Sequence, residues 1–82
     1  MPRFFFDLLI GNVVMLDPGG MIHENIEATV AAADRMARHL FIWRTDLRDC
    51  DAWVRVRDGQ GREIYRTAVG AVSAEPEGWD QA

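Results

Sequence analysis

The N-terminal part of the chain has the pattern of two short strands joined by a tight turn. Arg3–Ile10 and Val13–Asp17 are rich in apolar, aromatic and β-branched residues. Gly11-Asn12 stands between them, and glycine at the first turn position suits a two-residue hairpin turn. The predicted register therefore places Leu8 opposite Met15.

The middle of the chain predicts one amphipathic helix. Asp17-Pro18-Gly19-Gly20 ends the second strand, and Met21–Glu24 is predicted to be a short connection. Asn25 suits the N-cap position of a helix over Ile26–Trp43. The apolar positions recur at spacings of three and four, which is typical of one buried stripe. They are Ile26, Val30, Ala33, Ala37, Leu40 and Phe41.

A second hairpin follows a polar connection at Thr45–Asp51. Ala52–Arg57 alternates small or branched apolar residues with Trp and Arg, which predicts a half-buried strand. Asp58–Gly61 predicts a turn, and Arg62–Val69 predicts the fourth strand.

Two registers are open to this hairpin. A bulged turn with Gly61 in the left-handed region pairs Arg57 with Glu63, Arg55 with Tyr65 and Val56 with Ile64. A plain two-residue turn would place Arg57 opposite Arg62, and like charges in that position repel. The bulged register is favoured because its cross-strand pairs attract.

The order of elements indicates an α+β fold of the ββαββ type. The simplest closure is a four-stranded antiparallel sheet with the one helix packed on one face. Residues 1–70 form this domain, and residues 71–82 are predicted to be an acidic, flexible tail. The strand order stays open. The side chains expected under the helix are Phe4, Phe6, Leu8, Ile10, Val13, Met15, Val54, Val56 and Ile64.

Composition narrows the classes of function. The chain has 82 residues, a net charge of −4, and arginine at all nine basic positions. An acidic chain is a poor partner for polyanions, so nucleic-acid binding is not expected. The single cysteine, Cys50, excludes an intramolecular disulfide, and no apolar run is long enough to cross a membrane. A bacterial cytoplasmic protein is the expectation.

No motif assembles a catalytic or metal site. Cys50 lies between Asp49 and Asp51, which disfavour a reactive thiolate. His23 and Glu27 are four residues apart, but a metal site would need a third ligand, and a solvated loop histidine is the simpler interpretation. The chain is therefore expected to be no enzyme and to need no cofactor or metal.

The sheet face away from the helix is the candidate interface. In the predicted registers it carries Phe5, Leu9, Val14, Leu16, Trp53, Arg55 and Tyr65. Three interpretations are open: a protein interface, a surface for single-stranded nucleic acid, and mere cross-strand packing of Arg55 over Tyr65 and of Arg57 with Glu63. A homodimer centred on the first hairpin is favoured, with an unidentified protein as a further partner. The competing explanation has the tail cover this face through Trp79.

The opening Met1-Pro2-Arg3-Phe4-Phe5-Phe6 resembles a family of small bacterial proteins of unknown function that begin Met-Pro-Arg-(Tyr/Phe)-Phe-Phe. Asp17 with the following glycines, the Ala- and Arg-rich stretch Ala28–Arg38, and Asp58–Arg62 extend the resemblance over residues 1–69. Leu9 departs from the family pattern, where a polar residue is usual. The resemblance implies no activity and no catalytic residues.

Overall fold

The computed structural model describes residues 2–69, which form one antiparallel sheet and one long helix. The elements in chain order are β1 (Arg3–Ile10), β2 (Val13–Met15), β3 (Met21–Ile22), α1 (Ile26–Trp43), a 3₁₀ turn (Thr45–Leu47), β4 (Ala52–Arg57) and β5 (Glu63–Val69). The α+β class is confirmed. The expected four strands are five, because residues 21 and 22, predicted to be a connection, form a short strand. The predicted tail at residues 71–82 lies outside the described residues.

The sheet places strands from the two ends of the sequence side by side. Its main path runs β2-β1-β4-β5, and β3 pairs separately with the start of β1. Leu8 lies opposite Met15, so the predicted register of the first hairpin is confirmed. β1 and β4 pair along six positions, with Asp7 directly opposite Arg55.

The helix begins where its sequence predicts, but its buried ridge differs in part from the predicted stripe, since Ile26 and Phe41 are exposed. The Asn25 side chain accepts a hydrogen bond from the Ala28 backbone N–H at 2.8 Å, which confirms the predicted N-cap. One ridge of α1 is buried against the sheet; it consists of Thr29, Ala33 and Ala37. These small side chains let the helix lie close to the strands.

Asp17 holds β2 and β3 against β1 where the chain passes from one strand to the other. Its carboxylate accepts the Phe6 backbone N–H at 3.1 Å, in a position where a strand would supply a carbonyl. The same carboxylate accepts the N–H groups of Gly19 and Gly20. Gly20 has φ of +68°, and a Cβ there would lie 2.8 Å from the Phe4 carbonyl oxygen. Only glycine therefore allows this close passage.

The second hairpin has the predicted turn but a different register beyond it. Gly61 has φ of +83° and Arg57 pairs with Glu63, both as predicted. The irregularity lies between Val56 and Arg57, however, so Val56 pairs with Tyr65. The predicted pairs of Arg55 with Tyr65 and of Val56 with Ile64 are wrong. The bulge shifts each position of β5 beyond it by one, which exchanges the two faces of the strand.

The helix lies over one half of the sheet. It packs against β4 and β5, where Val54, Val56 and Val69 are fully buried. On the same side of the sheet, Val13 and Met15 of β2 remain more than half exposed. The expectation that α1 covers these two residues is wrong, because a helix about 10 Å wide spans only about two strands at 4.8 Å spacing.

Candidate interaction surface

The sheet face away from α1 is organised around one buried charge. Asp7 lies in the middle of β1 and is fully buried. Arg55 donates to its Oδ2 from Nε and Nη2, the latter at 2.8 Å, and Arg57 donates to both of its oxygens. The Asp17 backbone N–H donates to its Oδ1 at 3.0 Å. A buried carboxylate is tolerated only when it is paired and hydrogen-bonded in this way.

These contacts fix the charge state of Asp7. Burial by itself raises the pKa of this carboxyl group. The hydrogen bonds from Arg57, from the Asp17 backbone and from Arg55 outweigh burial, so the pKa falls from 3.8 to about 2. Asp7 is therefore ionised at neutral pH, and its pairing with two arginines ties β1 to β4.

The predicted interface residues do not all lie on this face. Phe5, Leu9, Val14, Trp53 and Arg55 are placed there by the observed registers. Leu16, just beyond β2, is exposed. Leu9 is only 9% exposed, since its ladder neighbours are Val14 and Trp53.

Tyr65 was predicted to lie on the open face, but it lies on the helix side of the sheet. The register shift turns it toward the helix, where its hydroxyl group donates to the Asp34 carboxylate at 2.7 Å. This hydrogen bond, together with burial, raises the pKa of Tyr65. Arg66 takes the predicted place of Tyr65 on the open face.

Arginines cover the aromatic rings of the open face. The guanidinium of Arg57 lies 5.1 Å from the Phe5 ring centre, and that of Arg66 lies 5.8 Å from the Trp53 ring centre. Arg66 also pairs with Glu63 at 2.8 Å. Since these arginines are held by internal partners, the second hairpin presents a closed polar surface.

The free edge of β2 has the opposite character. Val13, Val14, Met15 and Leu16 are consecutive, apolar and between 50% and 63% exposed. β2 stands at the end of the strand order, so its outer edge has no partner strand within residues 2–69. Exposed edges normally carry charge or proline as protection against pairing. The other edge, β5, carries the Glu63–Arg66 pair, whereas β2 has no such protection.

A second apolar surface lies beside α1, on the side toward β3. The groove has a volume of about 370 Å³. Its lining residues are Phe6, Met21, Ala32, Arg35, Met36, His39, Leu40 and Trp43. The Trp43 side chain is 80% exposed at the end of this groove. The opposite side of α1 forms a groove of about 410 Å³ toward β5, which includes Asp34, Arg38 and Ile42.

The part of the chain that the structure describes offers neither a membrane-spanning helix nor a cluster of metal ligands. Over residues 2–69, α1 is not apolar enough to cross a membrane. No three potential metal ligands converge within the same range.

Comparison with known proteins identifies a family but no activity. Residues 3–70 match the family described as a domain of unknown function, DUF6894. No curated protein and no solved structure gives a significant match.

Proposed function

Since the chain belongs to the DUF6894 family, whose function is unknown, we propose a function from its surface: a non-enzymatic interaction or regulatory domain that acts as a homodimer joined along β2. The single observation that carries this proposal is the exposed apolar run Val13–Leu16 on an unprotected edge strand. The lone cysteine and the acidic composition suit a cytoplasmic site of action.

The geometry favours a two-fold arrangement. Two copies of β2 that pair antiparallel around Val14 would join the sheets into one. The symmetry axis then passes between the two Val14 residues, and each copy presents the same surface to the other. Backbone hydrogen bonds would supply register, as in other cases of strand addition.

Apolar burial sets the strength of this dimer. Val13 and Met15 lie on the helix side of the sheet, whereas Val14 lies on the open side with Leu9. Covering the exposed part of each such side chain is worth roughly 1 kcal/mol. Association itself costs roughly 4–15 kcal/mol. The expected product is a weak, reversible dimer rather than an obligate one.

Sedimentation velocity at tens to hundreds of micromolar tests the proposal. The wild-type chain is expected to shift from monomer to dimer across this range. Val14→Glu, which places two carboxylates together at the symmetry axis, should remain a monomer. Ile42→Glu is the matched control, because Ile42 has similar exposure, 54%, but lies on the side of α1 toward β5. It should associate like the wild type.

Two outcomes would overturn the dimer. One is a wild-type chain that stays monomeric at the highest concentration. The other is a Val14→Glu chain that is folded by circular dichroism and still forms the dimer.

A nucleic-acid-associated, antitoxin-like regulator is the weaker proposal. Its phosphate contacts would have to come from the open face, where Arg55 and Arg57 both bind Asp7 and Arg66 binds Glu63. A phosphate would therefore compete with carboxylates already in place.

A further inference from the structure

The helix α1 covers only half of the width of the sheet face on which it packs. Strands in a sheet are about 4.8 Å apart, and a helix with its side chains is about 10 Å wide. α1 lies over β4 and β5. On this side of β1, Phe4 and Phe6 are buried, and the His23 ring packs against them. The open part is therefore a strip about one helix wide, with Val13 and Met15 exposed and Leu8 and Ile10 half-buried.

The helix presents a second apolar ridge toward this strip. Ala32, Met36 and Leu40 follow one another at four-residue spacing, and Trp43 continues the row. This ridge is distinct from the buried ridge of Thr29, Ala33 and Ala37 that contacts the sheet. Rows of side chains at four-residue spacing are the ridges that pack into the grooves of a neighbouring helix.

The distances fit one additional helix. Packed helices lie about 8–10 Å apart, and two strand spacings amount to about 10 Å. A helix placed over β1 and β2 would therefore contact the sheet below it and the Met36 ridge beside it at the same time. Phe6 of β1 and Met21 of β3 line the same groove as this ridge.

The polar groups of the groove specify the charge of its occupant. Arg35 and His39 lie on its lining, and no acidic residue does. Within residues 2–69, no carboxylate lies within ion-pair distance of Arg35. A carboxylate on the incoming helix would form an ion pair with Arg35.

We infer that the strip over β1 and β2, bounded by the Met36 ridge, binds an amphipathic helix of a partner protein that carries an acidic residue opposite Arg35. The inference rests on the proposed role as an interaction domain, but not on dimerisation, because the strip lies within one copy.

A display library of helical peptides tests the inference. The peptides are about 14 residues long, roughly 21 Å as a helix, with leucine at three- and four-residue spacing and random residues elsewhere. Peptides selected on the wild-type chain should retain the apolar stripe and share an Asp or Glu at one fixed position. Their amide shift perturbations should map to Met15, Met21, Met36 and Trp43.

Matched variants separate this site from the dimer edge. Met36→Glu should weaken the selected peptides at least tenfold, and Ile42→Glu on the other side of α1 should leave them unchanged. Arg35→Glu should weaken them similarly, and a peptide with lysine in place of the fixed acid should recover binding to that variant. Val14→Glu should bind as the wild type, so failure of the dimer and failure of this site are distinguishable.

The inference is overturned if the library yields no striped acidic peptide, or if the selected peptides bind Met36→Glu as well as the wild type. It is also overturned if Met36→Glu abolishes self-association of the free chain, since a second copy would then be the occupant.

Discussion

Asp7 shows how a single residue can connect the two ends of the sequence. It interrupts the apolar run Phe4–Ile10 of β1, and its carboxylate meets two arginines about fifty residues away. The pairing is costly to assemble, because the carboxylate loses its water. Once β1 and β4 are adjacent, removing either charge leaves the other without its partner.

The substitution Asp7→Asn is expected to destabilise the fold by about 2–3 kcal/mol at pH 7. The amide keeps the size of the side chain but removes the charge that Arg55 and Arg57 share. A pKa of about 2 in the fold, against the ordinary value of 3.8 for this carboxyl group, corresponds to about 2 kcal/mol of linked stability. Urea unfolding of both chains measures the difference.

The pH dependence provides the check on this prediction. Since the pKa of Asp7 is lowered by folding, its contribution is complete above about pH 4 and is lost as the pH falls through about 2. The difference in the free energy of unfolding between wild type and Asp7→Asn should therefore narrow as the pH falls from about 4 to about 2. Asp49→Asn, which removes an exposed carboxylate, is the control and should show no such gap. A gap that stays constant down to pH 2 would contradict the assignment.

At the scale of elements, local patterns were sufficient where the interactions are local. The helix bounds, the Asn25 cap, the β4 bounds and the first hairpin register follow from spacing and turn chemistry, and all are confirmed. β3 was missed because two residues carry too little pattern to indicate a strand. The error in β5 has one cause, a bulge between Val56 and Arg57, which reverses the faces of Tyr65 and Arg66.

The Asp7 cluster needed information that no local pattern contains. Asp7 and Arg55 meet only because β1 lies beside β4, and the strand order stays open at the level of sequence. The one usable signal was a lone acid within an apolar strand, together with arginines at alternate positions of another strand. The half-covered sheet face was missed for a related reason, since the lateral position of α1 depends on the same strand order.

The crossing from β2 to β3 depends on Gly20, and Gly20→Ala tests it. The new methyl group would meet the Phe4 carbonyl at 2.8 Å and the Phe5 ring at 2.9 Å, in a left-handed backbone conformation. We expect a loss of about 2–4 kcal/mol in the free energy of unfolding. Thermal and urea unfolding measure it.

Gly19→Ala is the matched control for this prediction. Its Cβ would meet nothing within 4 Å, and its φ is not positive. The change should stay within about 0.5 kcal/mol of the wild type. Equal effects of the two substitutions would show that the close passage of Gly20 past β1 does not limit stability.

At the scale of the whole molecule, the two edges and the two faces of the sheet differ in whether they present paired charges or exposed apolar groups. β5 and the open face of β4 have their charges paired internally, whereas β2 and the side of α1 toward β3 expose apolar groups. Among the described residues, the unprotected apolar strand edge therefore lies at the β2 end of the strand order. A partner that relies on apolar contact suits that end, and a polyanion has little to bind at the other.

The whole-molecule charge makes nucleic-acid binding weak. The chain carries a net charge of −4, and the arginines of its open face are engaged by Asp7 and Glu63. Single-stranded RNA should bind no more tightly than the non-specific range of about 10⁻⁴–10⁻⁶ M at physiological salt. Fluorescence anisotropy across a salt series measures this. Tighter binding that weakens with salt and disappears in a folded Arg55→Ala chain would contradict the prediction, because it would require Arg55 to exchange Asp7 for a phosphate.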